Sequence, residues 1–224
     1  MLDIYALLML QYCKANTYGW VDNVDSRRDK NGKTEQEFLR DYDVTKYFRP
    51  SVTVDAVLYA PTSDGARILY IKRGGHPFIG MYAFPGGFIE ADESCEQAAA
   101  RELYEETGVK DIALRQLITA SHPDRDPRWR NITAVFCAEA NGDIVATAGD
   151  DAADAQWLDV TCKPDGGMSF IGRTEKFECK LDIVRDSFGN VDINKTSVVE
   201  RGDMAFDHAK LTYYLLDLIK RNLI

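Results

Sequence analysis

The chain has 224 residues, long enough for one good-sized α/β domain or two small ones. Hydrophobic residues make up 45% and charged residues 28%, ordinary globular usage that leaves little room for extended disorder. A net charge of −9 without any Lys/Arg run argues against a nucleic-acid partner, whose binding needs cations set against phosphates. A small phosphorylated ligand stays open if a metal supplies the positive charge. Five cysteines, at 13, 95, 137, 162 and 179, form no C-x-x-C pair, so neither a disulfide framework nor a structural zinc site is indicated. A reducing cytoplasm is expected.

In chain order, the apolar start Met1 to Leu10 carries Asp3 where a signal peptide has basic residues, and it is too short to span a bilayer. It reads as a helix packing on its own domain or on a second copy. Residues 1–49 are thus expected to form a helical arm supporting a homodimer, with no membrane partner. A short helical stretch falls near Glu35–Arg40, and Pro50 punctuates the chain. Ser51 to Tyr59 reads as a strand, and Arg67 to Arg73 as its hairpin partner across a turn at Thr62–Gly65. Ser94 followed by Gln97 makes a capping box, and Gly108 sits where a C-terminal glycine cap belongs, giving a helix over 95–107. Strands follow near 112–120, 131–139 and 155–160. Residues 176–194 read as a hairpin turning at Phe188-Gly189-Asn190. Leu211, Tyr214, Leu215 and Leu218 mark a terminal helix over 206–221. Strands and helices mix without a regular βαβ rhythm, which predicts an α/β sandwich with a mixed sheet.

The chemistry concentrates in residues 87–109, GFIEADESCEQAAARELYEETGV. Glu102, Glu105 and Glu106 stand at i, i+3 and i+4, hence on one helix face. A solvated acidic face is the bland alternative. At about 100° per residue, however, the apolar stripe of Cys95, Ala99 and Leu103 overlaps the carboxylates instead of opposing them. Ala100 and Tyr104 offer the far side for cover as well. Crowded carboxylates at the edge of a buried face need a partner, and a hard divalent cation fits oxygen donors.

These residues resemble the Nudix box, G-x5-E-x7-R-E-U-x-E-E-x-G-U, at every fixed position from Gly87 to Val109. The resemblance implies a Nudix-type α/β/α sandwich with a mixed β-sheet, the box forming a loop–helix–loop. It implies a domain core over 50–160, closed by a C-terminal helix over 204–224; segment 161–203 departs from that pattern and reads as an inserted hairpin. It further implies hydrolysis of the diphosphate bond of a nucleoside diphosphate linked to another group, with Mg²⁺ or Mn²⁺ as cofactor. Glu102, Glu105 and Glu106, with the Gly86 carbonyl, match the metal ligands, and Glu93 with Arg101 the structural ion pair. Glu105 and Glu106 are catalytic candidates. So is Asp151, in the loop Gly149 to Trp157, where the aspartates alternatively just cap a turn.

Substrate clues lie outside the box. Arg125-Asp126-Pro127-Arg128 resembles a loop of the Nudix branch that includes ADP-ribose pyrophosphatases, and Ala205-Phe206-Asp207-His208 resembles the start of that branch's last helix. Asp124 departs from that branch, which often has glycine there. Arg125 and Arg128, with Arg73, are candidates for gripping phosphate or stacking on a base; a local Arg–Asp surface pair is the alternative. The expected reaction is ADP-ribose to AMP and ribose 5-phosphate. Hydrolysis of nucleoside triphosphates, NADH or dinucleoside polyphosphates stays open, as does an ADP-ribose sensor without a DNA-binding module. His76, His122 and His208 are read as structural or substrate-facing.

Overall fold

The computed structural model describes residues 27–140, 144–149 and 152–224. The apolar start expected to support a homodimer lies outside them, as does Asp151. The chain forms two compact units, residues 1–49 and 50–224. In the first, α1 (Glu35–Arg40) opens on a capping box. The Glu37 N–H donates to Thr34 Oγ1, and the Thr34 N–H donates back to the Glu37 carboxylate.

The second unit is built on a mixed sheet. Its strands are β1 (Ser51–Pro61), β2 (Gly65–Arg73), β3 (Tyr82–Ala83), β4 (Gly86–Phe88), β5 (Arg115–Ala120), β6 (Asn131–Glu139), β7 (Ala152–Cys162), β8 (Gly167–Ile171), β9 (Lys176–Asp182) and β10 (Ser197–Glu200). The order is β10-β9-β8-β7-β2-β1-β6-β5, with β3 on β2 and β4 on β1. β1 runs parallel to β6 and antiparallel to β2. Being central, β1 is covered on both faces and is buried from Thr53 through Tyr59, rather than alternating as a half-exposed strand would.

Two helices provide the cover. α2 (Cys95–Thr107) is capped as expected: Ser94 accepts from the Gln97 N–H, and Gly108 closes the helix at φ 71°. Its Ala98, Ala99 and Leu103 join the clusters containing Val54, Ala56 and Leu58 of β1. The other face carries α3 (His208–Lys220), whose Leu211, Leu215 and Leu216 pack with Val57, Tyr59, Ile68 and Tyr70. The result is the α/β/α sandwich. Among the described residues no helix is long and apolar enough to cross a membrane.

Segment 161–203 departs from the expected single hairpin. The hairpin formed is β8–β9, turning at Gly172–Glu175, and β10 adds beyond β9. The Phe188 turn belongs to a side excursion held by one bridge, Arg185↔Val191, and by the Asp186 side chain. Phe177, Cys179 and Leu181 alternate inward along β9 and find their apolar partners in the preceding Met168 and Phe170. Phe170 is wholly buried, with its ring 4.6 Å from Phe177 and 6.2 Å from Tyr70. Phe170→Ala should therefore lower unfolding free energy by about 3–5 kcal/mol. Urea unfolding followed by circular dichroism checks this; an unchanged midpoint would mean that the segment is peripheral to the core.

Candidate active site

A cavity of about 690 Å³ opens where β1, β4, α2, the 125–128 loop and the start of α3 meet. The three box carboxylates reach it at different depths. Glu106 is buried, the Glu102 side chain is largely covered, and that of Glu105 is 41% exposed. Ala100 and Tyr104, expected to be covered on the far side of the helix, are both exposed. The helix thus has one buried face, and the acidic residues border it.

Arg101 ties the box together more widely than the single ion pair with Glu93. It makes a bidentate bond to Glu93 (2.6 and 3.0 Å), and its Nη1 donates to both Glu102 and Glu105 at 2.9 Å. A further bond reaches the Phe88 carbonyl. Its hydrogen bonds hold the Glu93 carboxyl below the usual range. Gly87 lies so near Glu102 that a Cβ there would displace the carboxylate, so the glycine leaves Glu102 its present position.

Glu106 accepts a 2.9 Å hydrogen bond from the Gly86 N–H. Burial nonetheless pushes its pKa up to about 8, with Glu102 and Asp55 adding to the rise, while the Gly86 bond and Arg73 oppose it. Burial also raises the Glu102 pKa. Among the described residues no three His, Cys, Asp or Glu side chains already enclose a space for an ion, and Glu102 and Glu105 are bridged by Arg101. The donors present are hard carboxylate oxygens. A buried carboxyl that retains its proton is a group whose charge a divalent cation would stabilise, so the residues fit such an ion.

The remaining expectations divide. Arg73 lines the cavity, donates to the Pro77 carbonyl at 2.8 Å and lies 5.0 Å from the Phe206 ring centre. Arg128 is half-exposed at the rim, 5.4 Å from both Phe88 and Phe206, with its fork on Asp126 at 2.7 Å. Arg125 differs from the expected phosphate grip. Its side chain is only 4% exposed and makes a bidentate bond to Asp207 (2.8 and 3.1 Å), with Asp55 at 3.8 Å. Its Nε and Nη2 are therefore held by Asp207, while the residue still lines the cavity. Asp151 lies outside the described residues. Gly149 before it donates to the Glu106 carbonyl, so that loop reaches the end of α2.

Asp55, missed in the sequence, and His208, read there as structural or substrate-facing, also line the cavity. Asp55 is buried mid-strand, accepting from Thr133 Oγ1 at 2.8 Å. His208 accepts the Phe84 N–H on Nδ1 at 2.9 Å and places Nε2 3.6 Å from Asp55. Burial lowers its pKa, favouring the neutral ring. An aspartate inside the apolar run Val-Thr-Val-Asp-Ala-Val-Leu was the available signal.

The chain belongs to the NUDIX domain family, as a Nudix hydrolase: that family's sequence model matches residues 49–162. An ADP-ribose pyrophosphatase of Methanocaldococcus jannaschii is 41% identical over 118 residues, covering 53% of this chain and 67% of that protein. A solved MutT/nudix family protein from Enterococcus faecalis superposes with a TM-score of 0.66 at 29% identity, over 84% of this chain and 70% of that one. The NUDIX domain of Shewanella oneidensis NrtR, solved in complex with ADP ribose, gives a TM-score of 0.51 at 34% identity, over 56% and 82%. The chain spans about half the length of further curated relatives that it matches.

The position of Glu106 sets a pH dependence for the metal-free protein. A carboxyl that titrates at 4.5 when unfolded and near 8 when folded favours the fold fully below the lower value. That contribution is lost as pH rises through about 8. Melting temperature in a chelator should therefore fall between pH 5 and pH 8.5, and Glu106→Gln should flatten the fall. Scanning calorimetry of both proteins checks it; equal slopes would place the titration elsewhere.

Proposed function

We propose that the protein hydrolyses the diphosphate bond of ADP-ribose, giving AMP and ribose 5-phosphate, with Mg²⁺ as cofactor and Mn²⁺ as substitute. The observation that carries this reading is the opposition, across one cavity, of the box carboxylates and a rim of Arg128, Arg73, Phe88 and Phe206. Carboxylates suit a cation shared with phosphates; arginines beside aromatic rings suit a nucleotide's charge and base. The named activity of the Methanocaldococcus relative and the ligand of the NrtR domain support the same substrate.

Glu102, Glu105 and Glu106, with the Gly86 carbonyl, would hold the ion. When bound it neutralises phosphate oxygens and makes water more acidic. In the reaction one P–O bond forms to water as the bond to the bridging oxygen breaks, and the water's proton passes to a carboxylate. Glu105, the most exposed of the three, and Asp151 are our candidates for that acceptor. Arg101, whose Nη1 donates to both, orients Glu102 and Glu105. Arg125, bound to Asp207, acts as a positioning residue for the 125–128 loop.

Chromatographic separation of the products over a substrate panel should show ADP-ribose cleaved faster than nucleoside triphosphates, NADH or dinucleoside polyphosphates at equal concentration. Faster triphosphate cleavage would overturn the assignment. Glu106→Gln should lower kcat by roughly two orders of magnitude or more while leaving metal-free stability equal or higher. Near-normal turnover of that variant at saturating Mg²⁺ would place the ion elsewhere.

The two loop arginines should separate by their readouts. Arg128→Ala is expected to raise KM more than it lowers kcat. Arg125→Ala is expected to lower the melting temperature, because it leaves Asp207 and Asp55 buried without their cation. Steady-state kinetics with thermal melting distinguish them; the reverse pattern would exchange the two roles.

A further inference from the structure

A second cavity, of about 470 Å³, shares no lining residue with the first. His208, at the start of α3, borders the active-site cavity; Asp217, Lys220 and Arg221, at the other end, border the second. At 1.5 Å per residue the two ends are about 18 Å apart. We propose that this second cavity is a binding site for a phosphate or diphosphate group, separate from the site of hydrolysis.

Its charge is the first argument. In a chain of net charge −9, four cations line it, Lys163, Arg185, Lys220 and Arg221, against one carboxylate, Asp217. Asp217 is buried and bound by Arg185 (2.6 and 3.1 Å) and Arg221 (3.3 Å). Both guanidinium groups also donate to the Gly189 carbonyl, at 2.8 and 3.2 Å. Two like charges are thus fixed side by side with one carboxylate between them. Lys163 and Lys220 add two exposed ammonium groups, neither with an ion pair among the described residues.

Convergence is the second. Lys220 and Arg221 alone would be explained by the negative end of the α3 dipole. Lys163, just past β7, and Arg185, in the excursion after β9, come from other parts of the chain and enclose the same space. The Arg185 fork is taken up by Asp217 and Gly189, so the exposed Lys163, Lys220 and Arg221 are the cations that would meet phosphate oxygens. The aromatic lining residue, Tyr213, is buried to 3% exposure and offers little face for a base. The ligand is therefore defined by its phosphate charge, whether free diphosphate or part of a phosphorylated small molecule.

Calorimetric titration of inorganic pyrophosphate into the full chain, in a chelator, tests this without engaging metal-dependent binding at the box. Saturable one-to-one binding is expected, weakening as salt rises. Lys163→Gln/Lys220→Gln should weaken it at least tenfold with an unchanged melting temperature, while Arg128→Ala leaves it unaltered. Titrating orthophosphate and AMP in parallel separates the sources: tighter pyrophosphate binding favours the free diphosphate, and tighter AMP binding the phosphorylated metabolite. Undetectable binding of all three at millimolar concentration, or equal affinity in the lysine double variant, would overturn the proposal. Loss on Arg128→Ala instead would assign the binding to the active-site cavity and overturn it too.

Discussion

Glu106 occupies the side of α2 that faces the sheet, where water is largely excluded, and the architecture of the site follows from that placement. Like charges at i, i+3 and i+4 cost a few tenths of a kcal/mol per pair on an exposed helix, and more in a lower dielectric. Arg101 brings one positive charge to Glu93, Glu102 and Glu105 together, so the acidic group is left under-compensated. Gly86 offers a backbone N–H and Gly87 the absence of a side chain, which lets carboxylates approach β4 closely. A protein that only needed α2 to pack could have used leucine at these positions. Retaining carboxylates there makes sense when a cation completes the charge balance.

A second buried polar group fixes the opposite wall. Arg125 pairs with Asp207 and lies beside Asp55, which also accepts from Thr133 and faces His208. Asp207 occupies the N-cap position of α3 yet makes no side-chain capping bond, because its carboxylate is directed to Arg125. A tertiary ion pair has displaced a local cap. Burying such a pair contributes little net stability by itself, but it fixes direction, since breaking it leaves unpaired charge inside. The first turn of α3 and the 125–128 loop are therefore held in register with β1.

What could be read in the sequence was local. The α2 caps, the β1–β2 hairpin and the amphipathic α3 each depend on residues within one or two turns of one another. The Arg125 pairing was not legible because its partner Asp207 lies 82 residues away, and a guanidinium on a polar loop looks the same whether it meets a ligand or a buried aspartate. The hairpin near 188 was misassigned for a related reason. The turn residues there are genuine, but β9 takes its pairing from where its inward phenylalanine and leucine find apolar cover, on β8. Asp55 looks unremarkable along the chain, and its pairing with Arg125 and His208 acquires meaning only when β1, the 125–128 loop and α3 come together.

The added strands bear on the reaction through packing. Tyr82 of β3 stacks on Phe177 of β9 at 5.5 Å, and its hydroxyl accepts from Gln156 of β7. Its backbone N–H donates to the Asp203 carbonyl, and its carbonyl accepts from the Ala205 N–H. One strand residue thus links the inserted strands, through its ring, to the segment that delivers Phe206, through its peptide groups. Phe206 sits at positive φ, 47°, an unfavourable conformation for a bulky residue, so its neighbours must hold it there. Arg73, Arg128 and Phe78 all lie against that ring. The Phe206 side of the cavity is therefore held jointly by residues of the family-matched region and, through Tyr82 and Phe177, by the added strands, so changes in β8–β10 are transmitted to that wall and not to the carboxylates.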